Sequence, residues 1–470
     1  MARARIAPAL LSTLNSKNLG EPMQHDTPVS VIKTAWLATA ALILAATATA
    51  QDESRAADAS VAAATDVAES IPDPLTLAWC VERAQARNPS IEIEKAGLDA
   101  ARHRITPAGA LDDPRLSYEA SNVPIGDLDF DSTPMSGHQF GLRQNFPFPG
   151  LLSSRRDAAE ARARAAAHAV ADRVLTIDSA VESSWAELGF SQRALDITDR
   201  NISLLRQLVH IAEARYRVGS GLQQDVLRAQ VELTVLLGEK LEREAAIERA
   251  GAGLGALLDL TATTVFPRTA SLEDASALPA LEELTAALEQ RNAQLLALDA
   301  NVEAAKRQIR MAELEGYPDL DLGIGYRLRQ RAPGDPARGD DFIGAGFTVR
   351  LPVNRSKWNA RVAERRALLR QAKGTYRQAR ASLLAGLRTS HSELRRAESE
   401  EILLRTGLIP QARQSLESSR SGYEVGRIDF LSVLNSQVRL LNAELRLARA
   451  HADKRRAFAS LEAVAGGRLR

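Results

Sequence analysis

The chain has 470 residues, of which 45% are apolar, 25% charged and 4% aromatic, with 60 basic residues against 59 acidic ones. The apolar share is too high for a disordered chain, and the even charge balance excludes the positive field of a nucleic-acid binder. A single cysteine, Cys80, excludes an intrachain disulfide framework and a multi-cysteine zinc or iron–sulfur site.

At the N-terminus Lys33 precedes an apolar run at 35–46, followed by Ala48-Thr49-Ala50 and Gln51, which predicts a signal peptide over residues 1–50 with Met23 as an alternative start. The run is shorter than the roughly 20 residues that span a bilayer, which disfavours an anchor. Residues 51–73, rich in alanine and aspartate and closed by Pro72 and Pro74, read as a flexible lead-in. No later stretch is apolar enough for a membrane helix, so any crossing of a membrane must be made by strands.

The remainder repeats itself at an offset of about 205 residues. Arg87-Asn88 returns as Arg291-Asn292, Ile105 as Ile309, Pro114 as Pro318, Glu187-Leu188 as Glu393-Leu394, and Tyr216-x-Val218-Gly219 as Tyr423-x-Val425-Gly426. Matched prolines and glycines are breakers rather than helix filler, which argues against chance similarity between alanine-rich helices. The expected plan is repeat 1 at 74–260, a connector at 261–280, repeat 2 at 281–466 and a tail at 467–470. Each repeat reads as helix, β-hairpin (about 114–146 and 318–351), long helix, tip turn (about 217–223 and 424–429) and return helix.

In the first long helix Val170, Val174, Ile177, Val181, Leu188, Leu195, Ile202, Leu205, Val209 and Tyr216 belong to an alternating four-three seam, the signature of a coiled coil. Residues 151–218 would make a rod about 100 Å long. In the return helix Leu434, Val438, Leu441, Leu445, Ala448 and Ala452 keep the same spacing. The hairpins instead alternate with period two: Leu320, Leu322, Ile324 and Tyr326 on one strand, and Ile343, Phe347 and Val349 on the next, form one apolar face. Alternation alone fits equally a sheet on a soluble core and a bilayer-spanning barrel. Two hairpins give four strands, and a closed membrane barrel needs at least about eight, so a barrel requires several copies of the chain; three would supply twelve.

Several strings carry a family resemblance. Leu75-Thr76-Leu77 with Arg87-Asn88-Pro89, the glycine turns at Gly219 and Gly426, Asp112-Asp113-Pro114, Asn122-Val123-Pro124, Gln144-Asn145-Phe146-Pro147-Phe148-Pro149-Gly150 and Gly219-Ser220-Gly221-Leu222-Gln223-Gln224-Asp225 occur in order. From about residue 75 to 466 the chain resembles the TolC family of outer-membrane efflux channels, and these strings look like its heavy-metal branch, serving copper/silver or cobalt/zinc/cadmium pumps. The resemblance implies a mainly α fold with a small β part: a homotrimer whose outer-membrane β-barrel, four strands per chain, continues as a long α-helical barrel in the periplasm of a Gram-negative bacterium. It further implies a periplasmic adaptor and an inner-membrane resistance-nodulation-division pump as partners.

The tips are then the periplasmic mouth, carrying Arg217, Gly219, Gly221, Asp225, Glu424, Gly426, Arg427, Asp429, Ser432 and Asn435. The acidic aperture position of the family falls on Asp225 in the first tip. In the second it falls on Ser432 and Asn435, a departure for which Glu424 and Asp429 could substitute, while Arg217 and Arg427 are candidate salt-bridge partners. The resemblance also implies lipid contact for Leu320, Leu322, Ile324, Tyr326, Ile343, Phe347 and Val349.

No HExxH or serine-histidine-acid constellation stands out, and the glycines around Gly251 follow a helix rather than a strand, so neither catalysis, a cofactor nor a bound metal is expected. Cys80 lies well beyond the cleavage site, after Trp79, and reads as a buried helix residue rather than an acylation site. The rival functions are a TolC-like channel for drugs or other small molecules, a periplasmic helical-hairpin adaptor, and a passive porin, which would need far more strand.

Overall fold

The computed structural model describes residues 70–126, 128–271 and 280–469. The expected signal peptide, all but the end of the lead-in, part of the connector and residue 470 lie outside the described residues.

The described chain is mainly helical with one small sheet. Helices α1 (Leu77–Arg87), α2 (Pro89–His103) and α3 (Ile105–Gly109) lead into strands β1 (Arg115–Ser121) and β2 (Gly137–Phe146), then the 67-residue α4 (Leu151–Arg217) and its return, α5 (Gln223–Leu257). Helices α6 (Leu281–Arg291) and α7 (Ala293–Leu314) follow, then β3 (Asp319–Leu328), β4 (Phe342–Arg350) and α8 (Arg355–Leu403). A π turn (Leu404–Leu408) joins α8 to α9 (Ile409–Glu424), and α10 (Phe430–Ala465) returns. At about 1.5 Å per residue α4 is about 100 Å long; its alanines favour helix and it contains no proline.

Asn88 and Asn292 do the same work in two places. Each is buried between two helices and caps the second: the Asn88 side chain accepts from the Ser90 N–H at 2.9 Å, and that of Asn292 from the Leu295 N–H at 3.0 Å. The amide nitrogen of each then donates at 2.9 Å to the end of a return helix, to the Leu257 carbonyl from Asn88 and to the Val464 carbonyl from Asn292. A shorter or apolar side chain would leave both a helix start and a helix end unsatisfied.

Three apolar cores hold the helices. One lies along α4, α5, α9 and α10 toward the turns, around Leu205, Leu208, Leu416 and Phe430. Another packs Leu75, Cys80, Trp185 and Leu254, and the third joins α6, α8 and α10 around Leu288, Leu394 and Phe458. Burial pushes the Cys80 thiol up to about 12. The seam expected from sequence departs at two points. Tyr216 is 48% exposed, whereas its counterpart in the second half, Tyr423, is 3% exposed. In α10 the deepest positions near the turn are Val433, Gln437 and Leu440 rather than Leu434 and Val438.

The four strands form one antiparallel sheet in chain order. Leu320 pairs with Val349, Leu322 with Phe347 and Tyr326 with Ile343; Leu142 pairs with Ile324, and Leu116 with Leu142. Since directly paired residues point to the same side, all of these share one face. The opposite face carries Arg115, Ser117, Arg143, Asp321, Gly325 and Thr348 by the same registers.

Candidate functional site

Two surfaces stand out, the apolar face of the sheet and the paired turns at the far ends of the long helices. Ile343 is 84% exposed and Phe347 74%, with Leu322, Ile324, Leu320, Tyr326 and Val349 also open. Among the described residues no layer covers them. On the opposite face a cavity of about 420 Å³ at the helix-proximal end of the sheet is lined by Asp113, Arg115, Arg143, Asp319, Asp321 and Arg350, and Arg350 donates to Asp319. The sheet is thus apolar on one side and charged or small on the other.

The two turns are built alike. After α4, Gly219 takes φ +76°, its N–H donates to the Tyr216 carbonyl at 3.0 Å, and Ser220 N–H donates to Arg215 at 2.9 Å. After α9, Gly426 takes φ +75°, with Gly426 N–H bonded to Tyr423 at 3.0 Å and Arg427 N–H to Gly422 at 2.8 Å. Both are Schellman endings, in which a left-handed glycine lets two amides close on the last carbonyls. Their fillings are complementary: a Cβ at Gly221 would lie 3.0 Å from the Arg215 Cβ, and one at Gly422 would clash with Ile428. One turn has the large residue on the helix, the other on the turn.

Arg215 binds the two turns together. Its Nη2 donates to the Ser220 carbonyl at 2.8 Å, and its guanidinium carbon lies 4.5 Å from the centre of the Tyr423 ring. Nε and Nη1 are buried without a hydrogen-bond partner, so the ring face is what receives that charge. Tyr423 is 3% exposed, meets Phe430 edge-on at 5.4 Å, and its hydroxyl donates to Asp225 Oδ2 at 3.3 Å. Burial first, and Asp225 second, hold the Tyr423 phenol above its ordinary range. Asp225 itself sits in the first turn of α5, where the helix dipole favours a carboxylate.

Most of the other expected tip residues lie around this contact without joining it. Arg217 and Arg427 are exposed, and among the described residues no ion pair links either to Asp225, whose carboxylate accepts from Tyr423 instead. Glu424 pairs with Arg420 at 3.2 Å, Asp429 precedes α10 and accepts from Ser432, and Asn435 is exposed. Sequence reading missed Arg215 and the role of Tyr423. Tyr423 was visible as the partner of Tyr216 in the repeat, but nothing local distinguishes the buried tyrosine from the exposed one. Among the described residues no group of three His, Cys, Asp or Glu side chains is placed to hold a metal ion, and no helix is long and apolar enough to cross a membrane.

Comparison with known proteins gives these surfaces a context. The Outer membrane efflux protein family matches residues 80–259 and 284–467. The chain is 23% identical over 377 residues to the cobalt-zinc-cadmium resistance protein CzcC of Cupriavidus metallidurans, covering 79% of this chain and 85% of that protein. It is 26% identical over 326 residues to protein CyaE of Bordetella pertussis, covering 67% and 68%. Among solved structures, CusC superposes with a TM-score of 0.72 at 16% identity over 83% of this chain and 92% of that one. The outer membrane protein VceC of Vibrio cholerae gives 0.71 at 19% identity over 84% and 97%. With both halves of the described chain matched, the protein belongs to the outer membrane efflux protein family.

Proposed function

We propose that the chain forms the outer-membrane channel of a tripartite efflux system and passes heavy-metal cations, delivered by an inner-membrane pump through a periplasmic adaptor, to the outside. The observation that carries this reading is the sheet: four strands, open edges at β1 and β4, and one apolar face left exposed. Open edges cannot persist in hydrocarbon, so the strands must close with those of other copies, and three copies give a twelve-stranded barrel. On this reading Leu320, Leu322, Ile324, Tyr326, Ile343, Phe347 and Val349 meet lipid. Residues 74–260 and 281–466 act as two structural repeats, joined by the connector at 261–280, whose long helices extend the barrel across the periplasm.

The turns at 217–223 and 424–429 are then the periplasmic mouth. Gly219, Gly221 and Gly426 shape it, Asp225 with Glu424, Asp429, Ser432 and Asn435 surrounds its aperture, and Arg217 and Arg427 face the adaptor or a neighbouring copy. The name of CzcC and the Asp112-Asp113-Pro114 and Gln144-to-Gly150 strings support metal ions as cargo. The ion is a passenger rather than a resident, and the protein acts as a conduit rather than an enzyme.

Single-channel recording and crosslinking test the assignment. Asp225→Ala should change conductance or cation preference, while Gly219→Val, forced into a left-handed backbone position that a branched residue resists, should lose adaptor crosslinking yet still insert as a trimer. Unchanged conductance in the first together with normal crosslinking in the second would refute the placement of the mouth.

A further inference from the structure

Helix α4 runs unbroken to its turn, whereas the corresponding path in the second half is interrupted by the π turn at Leu404–Leu408. Burial shows where the two paths part. Going toward the turn, α4 buries Leu188, Ser191, Thr198, Ile202, Leu205 and Val209. The other path buries Leu394, Ala397, Leu404, Ile409, Ala412 and Leu416. Every step between successive positions agrees except one: Thr198 to Ile202 is four residues, and Leu404 to Ile409 is five. That one step spans the π turn, where the Ile409 N–H donates to the Leu404 carbonyl, five residues back.

An extra residue in an α-helix turns everything beyond it by about 100°. Widening a single turn to the five-residue bond absorbs the surplus and leaves the helix on both sides in phase. The local sequence suits this. Gly407 has open space where a Cβ would stand, and Pro410, having no N–H, loses no hydrogen bond as the chain leaves the wide turn. The residues that depend on the phase are those at the tip: an uncorrected rotation would swing Tyr423 away from the Arg215 guanidinium and from Asp225.

We infer that Leu404–Leu408 is a positioning segment, one residue longer than its counterpart in α4, which keeps Tyr423 in register with Arg215 and Asp225 across the two turns. The inference goes beyond the proposed function and rests on packing within one chain.

The test uses the full chain in detergent. Deleting Gly407 should convert the wide turn to ordinary α-helix, leave the melting temperature unchanged or higher, and preserve the parent's single-channel conductance. Deleting Gln207, exposed in the unbroken α4, offers no wide turn to close; it should rotate Arg215 off Tyr423, lower the melting temperature by several degrees and shift conductance in the same direction as an Arg215→Ala control measured beside it. Conversely, one alanine inserted after Arg200 should be absorbed as a new wide turn and leave the parent's conductance intact. The inference fails if deleting Gly407 lowers the melting temperature as much as deleting Gln207, or prevents assembly. Because melting is read without any channel measurement, that outcome holds whether or not the tip is an aperture.

Discussion

On β4, Ile343 and Phe347 stand almost free of the chain that carries them, while at the other end of the long helices Tyr423 and Phe430 are sealed from solvent. Both regions place apolar side chains periodically on one face of a regular element. They differ in who supplies the second layer. A helical hairpin folds back on itself, so α4 with α5 and α9 with α10 complete a core within one chain. The four-stranded sheet has no described residue laid across it, so among the described residues its apolar face is left without a second layer. Burial within one chain therefore separates the core beside the turns, which the described residues complete, from the sheet face and from Leu227, Val231 and Leu241 of α5, which they leave open.

Substitutions that act on one region and spare the other break this comparison most sharply. Leu205→Ala, in the closed core beside the turns, should destabilise the helices by about 2–5 kcal/mol through lost burial and a residual cavity, read as a fall in melting temperature in detergent and in lipid alike. A penalty that vanished in lipid would show that this core, too, is completed from outside.

Ile343→Arg should behave in the opposite way. On a lipid-facing strand near the bilayer midplane it costs about 2–4 kcal/mol, measured by denaturant titration after folding into vesicles, whereas Thr348→Asn on the other face should be nearly neutral. Equal effects at the two positions would mean that the exposed face does not meet lipid.

The smallest effect sharpens the tip itself. Tyr423→Phe removes one hydrogen bond to Asp225, which is worth about 0.5–1.5 kcal/mol, while keeping the ring under Arg215. The pH dependence has a definite sign. The folded state holds the phenol neutral above its ordinary 10.0, so as pH rises past 10 the unfolded chain releases the proton first and stability falls. Melting curves of the parent above pH 10 should therefore decline more steeply than those of Tyr423→Phe; parallel curves would place Tyr423 outside the titrating set.

How much of this was legible depends on the reach of each signal. Helix, strand and turn types follow from periods of 3.5 and 2 and from glycines at helix ends, all of which act over a few residues. The return of Arg87-Asn88 as Arg291-Asn292 marked a site before its work was visible, since an asparagine that both caps one helix and ties down another is local in one bond only. The contact between the two turns was harder. Gly219 and Gly426 announced the turns, but Arg215 looked like any charged residue near a helix C-terminus.

The sequence by itself determined the element types, the two glycine-closed turns and the apolar face of the strands, because each depends on short-range geometry repeated along the chain. Only the tertiary structure decided that Tyr423 rather than Tyr216 is buried, that Arg215 lies on its ring, and that a wide turn at Leu404–Leu408 keeps them in phase. The direction in which a side chain leaves a long helix depends on every residue before it, and a single addition turns it by about 100°. Contacts between residues 198 positions apart, such as Tyr423 and Asp225, are set by that accumulated phase and not by any pattern around either residue.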